Sequence, residues 1–303
     1  MPRDTEVLVR VHAATVNRTD CAIIRAKPFV MRFITGLLKP KNPILGTEFA
    51  GEIVATGKEV TSFEVGDRVF GFHDEGVAAY GEYLCIEQDD ALAIIPENSS
   101  YEQAAPGSEG AHYAVNFINK VTIEAGQKVL VNGATGGIGS AAVQLLKYHG
   151  AEVTAVCSGD HKELVESLGA CRVIDYLTED FTQDHERYSF VFDTAGKSTF
   201  GQCKGLLEPG GVYISSELGP WIQNIFLALL TPLFGGRKVI FPFPANRKGS
   251  VLLIQQLIEE GKFRAVIDQT FSLDDISEAY RYVEKGQKIG NVVITMNGVL
   301  PAP

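Results

Sequence analysis

The sequence predicts an α/β protein in two parts, a mostly β domain and a doubly wound parallel sheet. Three observations predict it. Short strand-like runs punctuated by glycines fill the first 95 residues or so. Strands then alternate with helical patterns, the rhythm of parallel β-α-β units. A cluster of glycines stands where the first of those later strands meets its helix, at Val129–Ser140.

The elements follow in order. From Glu6 the runs "EVLVRV", "GEIVATG", "GDRVFGF", "GEYLCI" and "LAIIP" are rich in β-branched and aromatic residues, with turns at Gly46, Gly51, Gly57, Gly66, Gly71 and Gly81. After Pro96 comes a helical stretch around Tyr101–Phe117. Then follow "KVLVN", a helix over Gly137–His149, "EVTAVC", a helix near His161–Leu168, "RVID", "FVFDT", a helix near Thr199–Leu207, and "GGVYISS". "SVLLIQQLIEEGKF" is an amphipathic helix ended by Gly261, and the tail returns to strand, helix, strand.

Composition narrows the function. The 303 residues leave room for two domains, and 45% hydrophobic with 21% charged residues describes a globular chain. A net charge of −10 repels phosphate backbones, which argues against nucleic acid as a partner. The five cysteines, Cys21, Cys85, Cys157, Cys171 and Cys203, never approach the spacing of a zinc site or redox pair, so a reducing, cytoplasmic setting is expected. The opening "MPRDTEVLVRVHAATVN" lacks the apolar stretch of a signal peptide. "WIQNIFLALLTPLF", from Trp221, is too short to span a bilayer; it reads as a buried helix or subunit contact rather than a membrane-surface element, because it has no basic face.

Gly133, Gly136 and Gly139 stand three apart, with Gly137 added, between a buried strand and a helix. Missing Cβ atoms permit a tight turn and let a diphosphate approach the backbone, and the free N–H groups of the helix then face it. Gly133, Thr135, Gly136, Gly137 and Ile138 are therefore the candidate dinucleotide-binding residues. At the tip of the next strand, a carboxylate would accept a hydrogen bond from the ribose of NAD and repel the extra phosphate of NADP. Cys157-Ser158 occupies that tip, without an acid. Ser158 can donate to a 2′-phosphate, and His161 and Lys162 add charge beside it, tempered by Asp160. NADPH is the expected cofactor.

The segments "VLVRVHAATVNRTD", "ILGTEFAGEIVATGKEVTSFEVGDRVFG", "GQKVLVNGATGGIGSAAVQLLKYHGAEVTAVCS", "FVFDTAGKS", "LLEPGGVYIS" and "GQKIGNVVI" together resemble the medium-chain dehydrogenase/reductase superfamily. Within it they are most similar to the zinc-independent quinone oxidoreductase group with its zeta-crystallin-like proteins. The resemblance implies a GroES-like catalytic domain over 1–97, completed by 264–303, and a Rossmann domain over 98–263. It implies that Asn17 contacts the nicotinamide ribose or a substrate oxygen, that Tyr176 lies beside the adenosine phosphate, and that Asn291 reaches back to the cofactor. His112, with Tyr113 at the start of a helix, is a candidate proton donor or a packing group. The cleft lining is expected from Glu217–Pro244, where Trp221, Phe226 and Phe241 suit a flat apolar substrate or a core.

The zinc-dependent alcohol dehydrogenases of that superfamily place a cysteine ligand where this chain has Asn17 and a histidine ligand where it has Thr47. Neither replacement is a competent zinc ligand, and only Cys85 stands where those enzymes carry a four-cysteine loop, so no zinc is expected. Glu48 remains, with a structural role. Hydride delivery to an activated C=C bond or a quinone needs only hydrogen-bond donors on the oxygen, whereas alcohol oxidation lacks its usual Lewis acid. The expected activity is zinc-independent, NADPH-dependent reduction of quinones or α,β-unsaturated carbonyls. The alternatives are a metal-independent alcohol dehydrogenase and a non-catalytic, crystallin-like nucleotide-binding protein. A homo-oligomer, a dimer, is expected. Two departures from the group stand out. Ala22 and Pro28 replace tyrosines, and the chain starts almost at "EVLVRV", where relatives carry a further hairpin whose loss would leave a sheet edge unpaired.

Overall fold

The computed structural model of the chain describes residues 1–25, 44–73 and 77–296; Pro28 lies outside them. The fold divides into two compact units, Met1–Gly110 with Asn246–Pro303, and Ala111–Ala245. The first begins with strands β1 (Glu6–Val16), β2 (Glu48–Thr56), β3 (Arg68–Phe72), β4 (Tyr83–Glu87) and β5 (Leu92–Ile94). The second contains β6 (Lys128–Asn132), β7 (Glu152–Cys157), β8 (Arg172–Asp175), β9 (Tyr188–Asp193), β10 (Leu207–Ser215) and β11 (Lys238–Ile240). The chain then returns to the first unit with β12 (Ile267–Ser272) and β13 (Asn291–Thr295).

In the first unit the strands run in the order β12-β13-β1-β2-β3-β5, with β4 also beside β1. The long β1 organises this sheet. One flank pairs antiparallel with β2, while the other is shared, Glu6–Arg10 taking β4 and Ala13–Val16 taking β13. Both flanks of β1 are thus occupied, and among the described residues β4 has a strand neighbour on one side only. Alternating side chains such as Val7, Val9 and Val11 join Phe49, Ile53, Leu84 and Ile294 in its core.

The structural boundaries differ from the expected 97/98 and 263/264. The helix Arg247–Glu259 lies against β5 and belongs to the first unit: Asn98 donates to the Ile258 carbonyl at 3.0 Å, and Lys248 pairs with Asp89 at 2.9 Å. The single helix expected over 101–117 is three pieces, Tyr101–Ala104, a 3-10 turn at Ala105–Gly107 and Glu109–Ile118. Pro106 has no N–H to continue the ladder.

The second unit is a parallel sheet in the order β11-β10-β9-β6-β7-β8. Its strands are near-continuous apolar runs, fully buried at Val129–Val131, Val191–Phe192 and Tyr213–Ile214, as expected of a sheet covered on both faces. From β6 the chain proceeds outward through β7 and β8, then restarts on the other side with β9. The crevice at the carboxyl ends of β6 and β9 is therefore a topological switch point. β11, three residues in a proline-flanked run, has no strand signal long enough to foresee.

The apolar window is not a buried helix. Over Gln223–Leu230 the helix turns Asn224, Leu227 and Ala228 inward, while Ile222, Phe226, Leu229, Leu230, Leu233 and Phe234 remain exposed and Trp221 is 95% exposed. Alternate packing directions at helical spacing explain the division. Among the described residues no helix is long and apolar enough to cross a membrane.

Candidate active site

In the second unit the glycines do different work. Gly133 has φ +82°, a left-handed conformation, and a Cβ there would lie 2.6 Å from the Ala195 Cβ. A Cβ on Gly139 would lie 2.1 Å from the Gly133 carbonyl oxygen, so only glycine lets the helix approach the strand. At Gly136 the nearest atom to an added Cβ is 3.5 Å away, leaving that face open. Gly136 also precedes the helix Gly137–Tyr148 without any side-chain cap, so the first N–H groups of the helix are left for another acceptor. Thr135, Gly137 and Ile138 stand beside it, partly exposed. This cradle fits a dinucleotide diphosphate, a ligand that needs close backbone approach and N–H donors.

Asp193 supports the cradle and was not singled out in the sequence, although an acid ending an apolar strand was visible. Wholly buried at the end of β9, it accepts hydrogen bonds from Asn132 (3.1 Å), the backbone N–H groups of Gly196 (3.0 Å) and Ser198 (3.2 Å), and the Tyr213 hydroxyl (3.0 Å). It thereby holds the loop whose Thr194 and Ala195 pack against Gly133.

At the tip of β7, Ser158 precedes a 3-10 turn over Gly159–His161 and leads to the helix Lys162–Leu168. Tyr176 is exposed beside them, its N–H donating to the Cys157 carbonyl at 3.2 Å. The fold thus brings Ser158, His161, Lys162 and Tyr176 to one strand end. Lys162 also lies 3.8 Å from Glu166. An acid absent from the tip of β7 arrives from the neighbouring strand, since Asp175 is in register with Cys157. Burial, then the Asp175 charge, pushes the Cys157 thiol up to about 11.

The first unit gathers a second set of groups. Asn17 follows β1 and caps the helix Arg18–Arg25 reciprocally with Asp20: the Asn17 N–H donates to Asp20 Oδ2 (2.9 Å), and the Asp20 N–H to Asn17 Oδ1 (3.0 Å). Asn17 Nδ2 donates to Thr47 Oγ1 (2.9 Å) and to Glu109 Oε2 (2.8 Å). Glu109, buried, also accepts from the hydroxyls of Thr47 (2.7 Å) and Thr19 (2.6 Å). Beneath it Glu48 accepts from Thr15 (2.6 Å), Ser108 (3.0 Å) and the Glu109 N–H (2.6 Å), consistent with the structural role expected of it. Burial and then the nearby Glu109 hold the Asp20 carboxyl well above the usual carboxylate range.

Both amide protons of Asn17 are therefore committed within the unit, a constraint its sequence position did not reveal. Asn291 is buried at the start of β13, with Nδ2 donating to the Val266 carbonyl at 3.1 Å. His112, in the second unit, is 0% exposed, its ring nitrogens 3.1–3.2 Å from Asn116 Nδ2 and its ring against Tyr113. This enclosure accords with the packing alternative read from the sequence. Lys288 was also missed; its Nζ donates to the Gly290 carbonyl, and burial lowers its pKa against the opposing pull of Glu48.

Zinc does not fit the first-unit cluster. Asn17 Nδ2 and Thr47 Oγ1 are neither thiolate nor imidazole, and each donates a proton to Glu109. Among the described residues no group of three or more His, Cys, Asp or Glu is placed to hold a metal ion.

Comparison with known proteins agrees with this architecture. Residues 3–97 match the alcohol dehydrogenase GroES-like domain, and residues 168–294 match a family described as zinc-binding dehydrogenase. The trans-enoyl reductase pgmF of Aspergillus terreus (strain NIH 2624 / FGSC A1156) is 30% identical, spanning 96% of this chain and 86% of its own length. The chloroplastic quinone-oxidoreductase QR1 of Triphysaria versicolor is also 30% identical, with 97% and 90% covered. Among solved structures, the quinone oxidoreductase of Coxiella burnetii superposes with a TM-score of 0.86 at 26% identity, over 97% of this chain and 92% of that one.

Proposed function

Because the chain belongs to the medium-chain dehydrogenase/reductase superfamily and is an oxidoreductase of that type, acting with NAD(P)H on quinone or enoyl substrates, we propose that it is a zinc-independent, NADPH-dependent reductase of quinones or of the C=C bond of α,β-unsaturated carbonyls. The observation that carries the reading is the open face at Gly136, ahead of an uncapped helix at a strand-order reversal. Gly133, Thr135, Gly136, Gly137 and Ile138 would hold the diphosphate, and Ser158, His161, Lys162 and Tyr176 the adenosine end. Asn291 remains the proposed contact from the C-terminal segment. The reduced nicotinamide supplies a hydride when bound.

In the first unit, Glu109 fixes the orientation of Asn17 and Thr47 by charge-assisted hydrogen bonds. For Asn17 to reach a ligand oxygen, its amide must release Glu109 or Thr47, and Thr47 then keeps the carboxylate paired. Its role is orientation, because an amide does not titrate in this range. The proton that completes the reduction is taken from solvent.

The functional form is proposed to be a cytoplasmic homodimer. Support for the dimer is the exposed stripe Ile222, Phe226, Leu229, Leu230, Leu233 and Phe234, next to β11, the last strand of its sheet. The aromatic members alone exceed what an isolated apolar residue on a surface would explain. Purified protein with NADPH should oxidise it when given a quinone or a short enone, but not with a simple ketone. Turnover of the ketone alone would indicate an alcohol dehydrogenase, and bound nucleotide without turnover would indicate a binding protein.

A further inference from the structure

We propose that Asp175 sets the cofactor choice of this chain, its carboxylate accepting a hydrogen bond from the ribose 2′-hydroxyl of NADH and opposing the 2′-phosphate of NADPH, so that NADPH keeps only a narrow margin over NADH. The inference rests on the nucleotide reading above and refines it.

In a doubly wound sheet the group that distinguishes the two nucleotides stands at the tip of the second strand. That strand is β7, and its own tip, Cys157-Ser158-Gly159, bears no acid. Yet β8 pairs with β7 in parallel, and the last pair of that register is Cys157 with Asp175. The two strand ends therefore finish level, and the chain at Tyr176 turns back to donate to the Cys157 carbonyl. Asp175 Oδ2 comes within 2.6 Å of where a Cβ on Gly159 would stand. Glycine at 159 thus leaves space at the strand tip that a carboxylate from the next strand occupies.

The carboxylate is also fixed in place. Asp175 Oδ1 accepts the Leu177 N–H at 2.9 Å, which closes the turn after β8 and leaves Oδ2 directed at Gly159. The charges around the tip do not neutralise it. Asp160 is a second acid there, and Lys162 is shared with Glu166 on its own helix at 3.8 Å. Ser158 supplies a donor for a phosphate, but the field it works in is acidic. A carboxylate a few ångströms from a phosphate at a partly exposed site opposes it by an amount equivalent to roughly tenfold in affinity.

Asn at position 175 keeps an oxygen for the Leu177 N–H and removes the charge, so the turn survives the substitution. Full-length protein is titrated with NADPH and with NADH at fixed ionic strength, following nicotinamide fluorescence, for the unmodified chain, Asp175→Asn and Asp160→Asn. Affinities for the two nucleotides within about tenfold of each other are expected for the unmodified chain. Asp175→Asn should shift their ratio toward NADPH by roughly tenfold, whereas Asp160→Asn should shift it less than about twofold. An unmoved ratio in Asp175→Asn, at unchanged melting temperature, overturns the assignment while leaving nucleotide binding intact. An equal shift from Asp160→Asn overturns it too, since the general field would then be responsible. If neither nucleotide binds the unmodified chain, the nucleotide reading fails and the assignment falls with it.

Discussion

The glycine turn of the second unit and the polar cluster of the first are opposite ways to make a site. Between Gly133 and Gly139 the chain omits the side chain at Gly133, Gly136, Gly137 and Gly139, and what these positions leave is backbone with donors left over. Around Glu109 the chain brings side chains from three separated segments, and these satisfy one another: two amide protons of Asn17 and the hydroxyls of Thr19 and Thr47 all have acceptors. The difference teaches where each can act. A turn with unspent donors can take up a charged ligand without rearrangement, whereas a saturated cluster contributes orientation and yields a donor only when one of its own bonds is exchanged.

The contrast is broken most severely at Gly139. A Cβ there meets the Gly133 backbone oxygen at 2.1 Å, and neither strand nor helix can yield cheaply. Gly139→Ala is expected to lower stability by about 3 kcal/mol and to abolish measurable nucleotide binding. Gly136→Ala, which meets nothing closer than 3.5 Å, should fold normally and weaken the nucleotide only where the ligand itself approaches. Thermal melting with and without NADPH separates the two. Equal melting temperatures for both variants would mean that the close helix–strand approach is not what Gly139 provides.

The next largest effect is expected at Glu109. Removing its carboxylate strips acceptors from Asn17, Thr19 and Thr47, and a charge-assisted bond is worth about 1.5–3 kcal/mol. Glu109→Ala should therefore destabilise the fold by about 3 kcal/mol and depress turnover with quinone. Glu109→Gln retains one acceptor oxygen but presents an amide to the donors, so it should recover part of the stability while leaving nucleotide affinity near that of the unmodified chain. Loss of nucleotide affinity in Glu109→Gln equal to that in Gly139→Ala would erase the proposed division of labour.

These two regions were not equally legible. The turn is local: strand, glycines and helix lie in sequence, so Gly133, Gly136 and Gly137 could be singled out from spacing alone. The same locality exposed most strands of both sheets, β11 excepted, because alternation in β1 and apolar runs in β6, β7 and β9 are written in consecutive residues. Glu109 was hidden because its partners are 62 to 92 residues away, at Thr47, Thr19 and Asn17. Asp175 was hidden for a related reason: the acid missing from the tip of β7 is supplied by parallel register with β8, which no spacing within either strand reports. The domain boundary also depended on tertiary contact, since the helix Arg247–Glu259 has the same amphipathic pattern whichever sheet it covers. For the exposed Trp221–Phe234 stretch, hydrophobicity reported an apolar face correctly but not whether this chain itself buries it.

The smallest expected effect concerns Asp20, which couples the cluster to pH. Its folded pKa is raised above 3.8 by burial and then by Glu109, while an unfolded chain returns it to the ordinary value. Just above that value the folded protein still holds a proton that the unfolded chain has released. By linkage, stability from this group is complete at lower pH and declines as pH rises toward and through the folded pKa, at no more than about 1.4 kcal/mol per pH unit. Asp20→Asn preserves an acceptor for the Asn17 N–H and cannot ionise. Its melting temperature relative to the unmodified chain should therefore climb as pH is raised from about 4 toward neutrality. Parallel melting curves across that range would mean that Asp20 is not protonated in the folded cluster, and the carboxylates around Asn17 would then have to share their charge through the hydroxyls of Thr19 and Thr47 instead.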